Sequence, residues 1–193
     1  MMSLDGFFEG AGHSIDWHNV DTEFNEFADE QLNSVDTLIF GRITYELMLS
    51  YWTSPEALTN DPVIANQMNS KLKIVFSRTM TKAGWKNTRL INENIQEEFE
   101  KLKQLPGKDL IIFGSANLAS TLQQLDLIDE YRIIVNPIIL GKGTPLFKHT
   151  SELFNLKLIM SKTFNSGNVL LYYEPKRDKN PVSVAQSIET CVD

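Results

Sequence analysis

Apolar positions along the chain form short unbroken runs, separated by stripes spaced three and four residues apart. The runs at 37–40, 72–76, 110–113 and 130–135 have strand length and predict strands, with 38–40 of the buried type. Between them, Tyr45, Met48, Leu49 and Trp52 mark one side of a helix over 44–52. Asp61-Pro62 opens another, with Asp as cap and Pro at the first position, running through Val63, Ile64, Asn66 and Met68. Ile95, Phe99, Leu102 and Leu105 face inward from a helix that Pro106-Gly107 ends. Leu118, Leu122 and Leu125 do the same for 116–125, and 23–32 reads as a helix near the start. Near the end the period changes to two: 156–164 and 169–173 flank Asn165-Ser166-Gly167-Asn168, a hairpin signal. Strands alternating with helices and closing on a hairpin predict an α/β fold. It is a three-layer αβα sandwich with a mostly parallel central sheet and an antiparallel C-terminal hairpin. The domain is expected to span 1–175, with 176–193 a polar tail outside the core.

Composition narrows the function classes. With 193 residues and 42% hydrophobic content, one domain can bury a full core. The 18 basic and 25 acidic residues leave a formal charge of −7, which argues against nucleic acid as a partner. Any phosphate site must be local. Cys191 is the single cysteine, so disulfide frameworks and cysteine-rich zinc sites are excluded within one chain. His13, His18 and His149 are too scattered to predict a metal site. No apolar run approaches the ~18 residues of a membrane span, and Met1-Met2-Ser3-Leu4-Asp5 lacks the form of a signal peptide. A cytoplasmic location without a membrane partner is expected.

Two segments stand out chemically. Leu38-Ile39-Phe40 runs into Gly41-Arg42-Ile43-Thr44, and Ile111-Ile112-Phe113 into Gly114-Ser115-Ala116. In each, a strand meets a glycine turn and then a helix start, which presents free N–H groups and the positive end of a helix dipole. Either turn alone reads equally as ordinary turn chemistry. Two of them suit a pyrophosphate and so a dinucleotide, although G-x-G-x-x-G is absent. Arg42 and Arg78 supply guanidinium groups that fit phosphate, and Ser77 and Thr79 add hydroxyls.

These residues resemble a known family: the dihydrofolate reductase-like fold, and within it stand-alone relatives of the reductase domain of the bifunctional riboflavin-synthesis deaminase/reductase. The likeness covers roughly the first 175 residues. It is carried by Ser3-Leu4-Asp5-Gly6-Phe7, Ile15-Asp16-Trp17, Gly41-Arg42-Ile43-Thr44-Tyr45-Glu46, Val75-Phe76-Ser77-Arg78, Phe113-Gly114-Ser115-Ala116, Leu127-Ile128-Asp129-Glu130-Tyr131 and the run from Pro137 to Phe147. The resemblance implies a homodimer that transfers hydride from NADPH to a small heterocycle or ribosylamine. It places Gly41, Arg42, Thr44, Ser77, Arg78, Gly114, Ser115 and Ala116 on the cofactor. The 140–147 loop is implied to rim the active site and help form the dimer. The family's first strand normally precedes Ser3-Leu4-Asp5-Gly6, so the resemblance implies either a start upstream or a clipped strand over 1–4. The H-x-E and P-C-x-x-C signature of the deaminase half is missing. A dihydrofolate reductase and a non-catalytic dinucleotide-binding dimer are the alternative readings.

On the substrate side several residues carry two readings each. Asp5 is a proton donor or an Asx-turn residue before Gly6. Asp16, between Ile15 and Trp17, is an acid raised by partial burial or a turn residue. Asp21 anchors substrate or caps the helix over 23–32, and Glu46 orients the phosphate turn or complements the helix dipole. Trp17, Phe24, Phe27, Tyr51 and Trp52 line a slot for a flat substrate or belong to the core, with Trp17 and Trp52 the choices for the slot. Lys142 touches a phosphate or decorates the surface. His13 and His18 read as solvent-facing loop residues. Cys191 in the tail is no nucleophile without a base beside it.

Overall fold

The computed structural model describes residues 1–147 and 153–177. Its strands pair into two four-stranded sheets and a short ribbon. The first sheet is wholly parallel: β3 (Val35–Gly41) lies between β4 (Leu72–Phe76) and β6 (Asp109–Ile112), and β5 (Thr88–Ile91) extends it beyond β4. Alternation across β3 and β4 sends side chains to both faces. Leu38, Phe40 and Val75 meet α1 (Thr22–Ser34), α2 (Arg42–Trp52) and α4 (Pro62–Ser70) on one face. Ile39, Ile74 and Phe76 meet α5 (Ile95–Gln104) and α6 (Ala116–Gln124) on the other. This is the expected three-layer arrangement. Burial on both faces is why these strands read as unbroken apolar runs. β6 lies at one edge of the sheet, and Leu110, Ile111 and Ile112 are only half-buried.

The second sheet is mixed. The two-residue strand β1 (Met2–Ser3) runs parallel to β7 (Tyr131–Asn136), which pairs antiparallel with β10 (Val169–Pro175), itself paired with β9 (Leu156–Thr163). The predicted hairpin is thus present, with Gly167 at φ 86° in its turn. Its core cluster, Ile134, Phe164 and Leu170, closes on Phe27 of α1. The same helix sends Leu32 into the first sheet's cluster, so α1 ties the two sheets together. A ribbon of β2 (Phe7–Glu9) and β8 (Thr144–Pro145) completes the strands.

The sequence pattern gives no signal for β5, β8 or α3 (Pro55–Asn60). β5 is an edge strand with a mixed polar face, and α3 is a single short turn and a half. Asp61 stands at the N-cap of α4 as expected but makes no side-chain capping bond there. The first two residues of the expected tail are exposed and bond to the domain's surface. Lys176 N donates to Asn155 O at 2.9 Å, and the Arg177 guanidinium reaches Asp126 and Asp129. The remainder of the tail, with Cys191, and His149 lie outside the described residues.

Candidate active site

The parallel strands β3, β4 and β6 all end at one edge of their sheet, where α/β folds place ligands. Here the two glycine turns found in the sequence meet. A Cβ built on Gly41 would lie 2.1 Å from Ser115 Oγ. A Cβ on Gly114 would touch Thr44 Cγ2 at 3.4 Å. The turn after β3 and the turn after β6 therefore interlock, each glycine giving room to the other turn's hydroxyl residue. Gly114 (φ 56°) and Ser115 (φ 58°) are both left-handed, which swings the chain sharply into α6. The N-termini of α2 and α6 have no side-chain cap. Their first N–H groups have no side-chain acceptor, and the contact between the turns brings the two helix starts side by side.

The β4 end adds cationic and hydroxyl groups. Ser77 Oγ accepts from the N–H of Met80 at 3.0 Å and of Thr79 at 3.3 Å, shaping the turn that presents Arg78. Asn92 Nδ2 donates to Ser77 O and Met80 O and fixes that turn from the end of β5. Asn92 escaped the sequence reading because its strand did. Arg78 is exposed and has no ion-pair partner among the described residues. Arg42 is exposed too, and its guanidinium is shared with Glu46 at 3.0 Å. Glu46 thus orients the arginine of the turn.

The opposing wall is reached through α1. This helix has 13 residues, about 20 Å, and continues without a loop into the 7 residues of β3, about 23 Å. Helix and strand pack against each other, so the N-terminus of α1 stands at the same end as Gly41. A polar knot joins that end to the second sheet. Asn19 N donates to Asn136 Oδ1 at 2.8 Å, Asn19 Nδ2 to Ser166 O at 3.0 Å, and Asn168 Nδ2 to Asn19 O at 2.7 Å. Asn136 and Asn168 are fully buried. In the sequence both look like turn residues, and only their burial reveals the knot.

The substrate-side candidates resolve into distinct roles. Asp5 accepts from Ser3 Oγ (2.7 Å), Leu140 N (3.1 Å) and Gly141 N (2.8 Å). The Ser3 hydroxyl and those N–H groups hold its carboxyl below the usual range. It is an ionised clasp on the 138–141 loop. Gly143 packs so tightly on Glu9 that a Cβ would lie 2.2 Å from Glu9 O, and β2–β8 pairing continues the strap. Asp16 is exposed, bonded only to Ser14; the partial burial expected for it falls instead on its neighbours Ile15 and Trp17, which are half-buried. Asp21 is the N-cap of α1, accepting from Phe24 N at 2.8 Å. Trp17 is half-buried and donates to Ser14 O within its own loop. Trp52 packs at the margin of the first core cluster, its N–H on Met48 Sδ. Phe27 is core and Phe24 packs beside it.

His13 pairs with Glu9 on the surface, but His18 is not the solvent-facing residue expected. It packs edge-on to Trp17 at 4.5 Å, and its Nε2 is buried without a hydrogen-bond partner. Burial pushes the imidazole down to about 4, whereas an unfolded histidine titrates near ~6.5. Between those values the unfolded chain binds the extra proton, so this contribution is complete above pH ~6.5 and lost as pH falls toward 4. Allowing for its partial exposure, the loss is about 2 kcal/mol. Urea unfolding at pH 7 and pH 4.5 should show it in the parent chain and not in His18→Gln. An equal loss in the variant would assign the pH dependence elsewhere.

Comparison with known proteins bears on this site. The family model described as the RibD C-terminal domain matches residues 1–170. The uncharacterized protein YyaP of Bacillus subtilis (strain 168) is 38% identical over 174 residues, 89% of this chain and 90% of YyaP. Among solved structures, a putative riboflavin biosynthesis protein from Shewanella sp. PV-4 superposes with a TM-score of 0.71 at 28% identity, over 91% of this chain and 96% of that one. The dihydrofolate reductase of Enterococcus faecalis, solved with NADP(H), shares the fold, with a TM-score of 0.60 at 14% identity over 91% and 92% of the two chains.

Proposed function

The chain belongs to the RibD C-terminal domain family, and from that premise we propose that it is an NADPH-dependent reductase acting on a small heterocyclic or ribosylamine substrate. The observation that carries the proposal is the interlock of the Gly41 and Gly114–Ser115 turns, which brings two uncapped helix N-termini together. A pyrophosphate fits there without a large basic surface. In this reading the backbone at Gly41, Arg42 and Thr44, and at Gly114, Ser115 and Ala116, holds the pyrophosphate. Ser77 and Arg78 hold the ribose phosphate that distinguishes NADPH from NADH, the guanidinium pairing with it bidentately. The bound cofactor supplies the hydride. Asp5 acts by position, fixing the 138–141 strap over the site. Asp16, exposed on the opposing loop, is the carboxyl free to relay a proton from solvent. Trp17 and Trp52 border the space for a flat substrate.

Thermal unfolding with NADPH, NADH or neither tests this. At 100 times its dissociation constant NADPH should stabilise the native chain by about 2.7 kcal/mol. NADH should shift it less, and Arg78→Ala should erase the difference between the two. Equal shifts from both cofactors in the parent chain would remove Ser77 and Arg78 from the phosphate, and no shift from either would sink the reductase reading.

A further inference from the structure

The two walls of the site differ in what they offer an anion. On the cofactor wall the helix N-termini of α2 and α6 are uncapped and Arg78 is unpaired among the described residues. On the opposing wall each comparable device is already occupied by a carboxylate of the chain itself. The N-terminus of α1 is closed by Asp21, which takes the Phe24 N–H. The adjacent N–H groups of Leu140 and Gly141 are taken by Asp5. The N–H of Asn165, in the hairpin turn beside α1, is taken by Glu23, which also sits 3.5 Å from Lys162.

Charge follows the same division. Six carboxylates (Asp5, Glu9, Asp16, Asp21, Glu23 and Glu26) and no lysine or arginine lie between Met1 and the second turn of α1. That stretch supplies β1, β2, the loop carrying Asp16 and Trp17, and the start of α1. Glu26, on the first turns of α1, is exposed and has no partner among the described residues. Lys142 is the one ammonium within 137–147. A phosphate ester placed opposite the cofactor would meet carboxylates and filled N–H groups; of the described ammonium groups there, Lys162 is turned to Glu23 and Lys142 alone has no ion-pair partner. Phosphate binding needs paired guanidinium or ammonium groups or open backbone donors.

We propose that the molecule reduced at this site carries no phosphate group and is neutral or cationic. This rests on the reductase reading and narrows its substrate class. It separates this chain from the 5-amino-6-(5-phosphoribosylamino)uracil reductase that names one structural neighbour, the Thermotoga maritima enzyme at 15% identity. The division is also economical in physical terms: one wall attracts the phosphates of the cofactor, and the other repels them, so a dinucleotide can enter in one orientation.

The test uses the full chain saturated with NADP+, so that the cofactor's own phosphate sites are filled. Ribose 5-phosphate and ribose are titrated in parallel by calorimetry at fixed ionic strength. Ribose 5-phosphate should bind no more tightly than ribose. A saturable site at least tenfold tighter for ribose 5-phosphate would overturn the proposal. So would oxidation of NADPH by 5-amino-6-(5-phosphoribosylamino)uracil at a rate above that with its dephosphorylated form. Failure of NADP+ to bind in the preceding titration would be a different result, since it sinks the reductase reading itself.

Discussion

Gly41→Ala is expected to weaken NADPH binding at least tenfold, and adding Ser115→Gly to the same chain is expected to restore it. The added methyl would sit 2.1 Å from Ser115 Oγ and 3.2 Å from Ser115 Cβ. Rotating the hydroxyl away relieves the first contact and leaves the second, so the α6 turn or the start of α2 must move. Overpacking of this kind costs about 1–3 kcal/mol. The displaced atoms are the N–H groups proposed to face the pyrophosphate, so the cost falls on binding as well as on folding. Ser115 is held at φ 58°, ψ 68°, a conformation that costs a non-glycine residue about 1 kcal/mol and glycine little. Ser115→Gly alone should therefore be neutral or stabilising, and the pair should couple by about 1–3 kcal/mol in a double-mutant cycle. Unchanged NADPH affinity in Gly41→Ala would show that the turns do not hold the cofactor. Lost affinity in Ser115→Gly alone would mean that the hydroxyl, not the backbone, makes the contact.

This interlock was partly legible beforehand. A strand buried on both faces has no polar alternation, so β3 and β4 announce themselves as apolar runs, and the glycine that ends β3 follows directly. The sequence could not say that the two turns touch, because β3 and β6 are neighbours only through the sheet's strand order. Acidic residues were harder still. Asp5, Asp16 and Asp21 look alike in the sequence, each beside a turn or a helix start. Only the structure shows that one is a clasp, one is exposed and one is a cap. Aromatic residues pose the same difficulty: Phe27 and Trp17 have similar surroundings in sequence, yet Phe27 is 8% exposed in the core while Trp17 bonds within its own loop. β5 was lost because Thr88-Arg89-Leu90-Ile91 has one half-exposed face, and with it Asn92, which shapes the Ser77–Arg78 turn.

The least legible feature carries the second large expectation: Lys73→Met should lower unfolding stability by about 1–3 kcal/mol while leaving NADPH affinity near that of the parent. In the sequence Lys73 is the one charged residue in Leu72-Lys73-Ile74-Val75-Phe76, a run read only as a strand. It is in fact 0% exposed. Its Nζ donates to Met68 O (2.8 Å), Asn69 O (3.1 Å) and Lys71 O (2.8 Å), and lies 4.6 Å from the Trp85 ring centroid. These carbonyls belong to the last turn of α4 and the residues just past it, where a helix has acceptors without partners. An ammonium satisfies all three and complements the helix dipole. Burial draws it down to about 8, so it is charged at neutral pH. Methionine fills the volume but takes the donor away from all three acceptors, of which the bond to Met68 O is buried and the other two partly buried; the orphaned buried acceptor is the costly half of the exchange. The damage should spread to Trp85, whose ring N–H donates to Asn69 Oδ1 at 2.7 Å and whose backbone N–H donates to Tyr45 Oη at 2.8 Å. Tryptophan emission should therefore shift in the folded variant. Lys73 lies at the start of β4, four residues from Ser77 and about 13 Å along the strand, so the cofactor edge should keep its shape. A stability within 1 kcal/mol of the parent would show that those carbonyls find other donors. A large loss of NADPH affinity at intact folding would show that the helix end and the cofactor edge are coupled through β4.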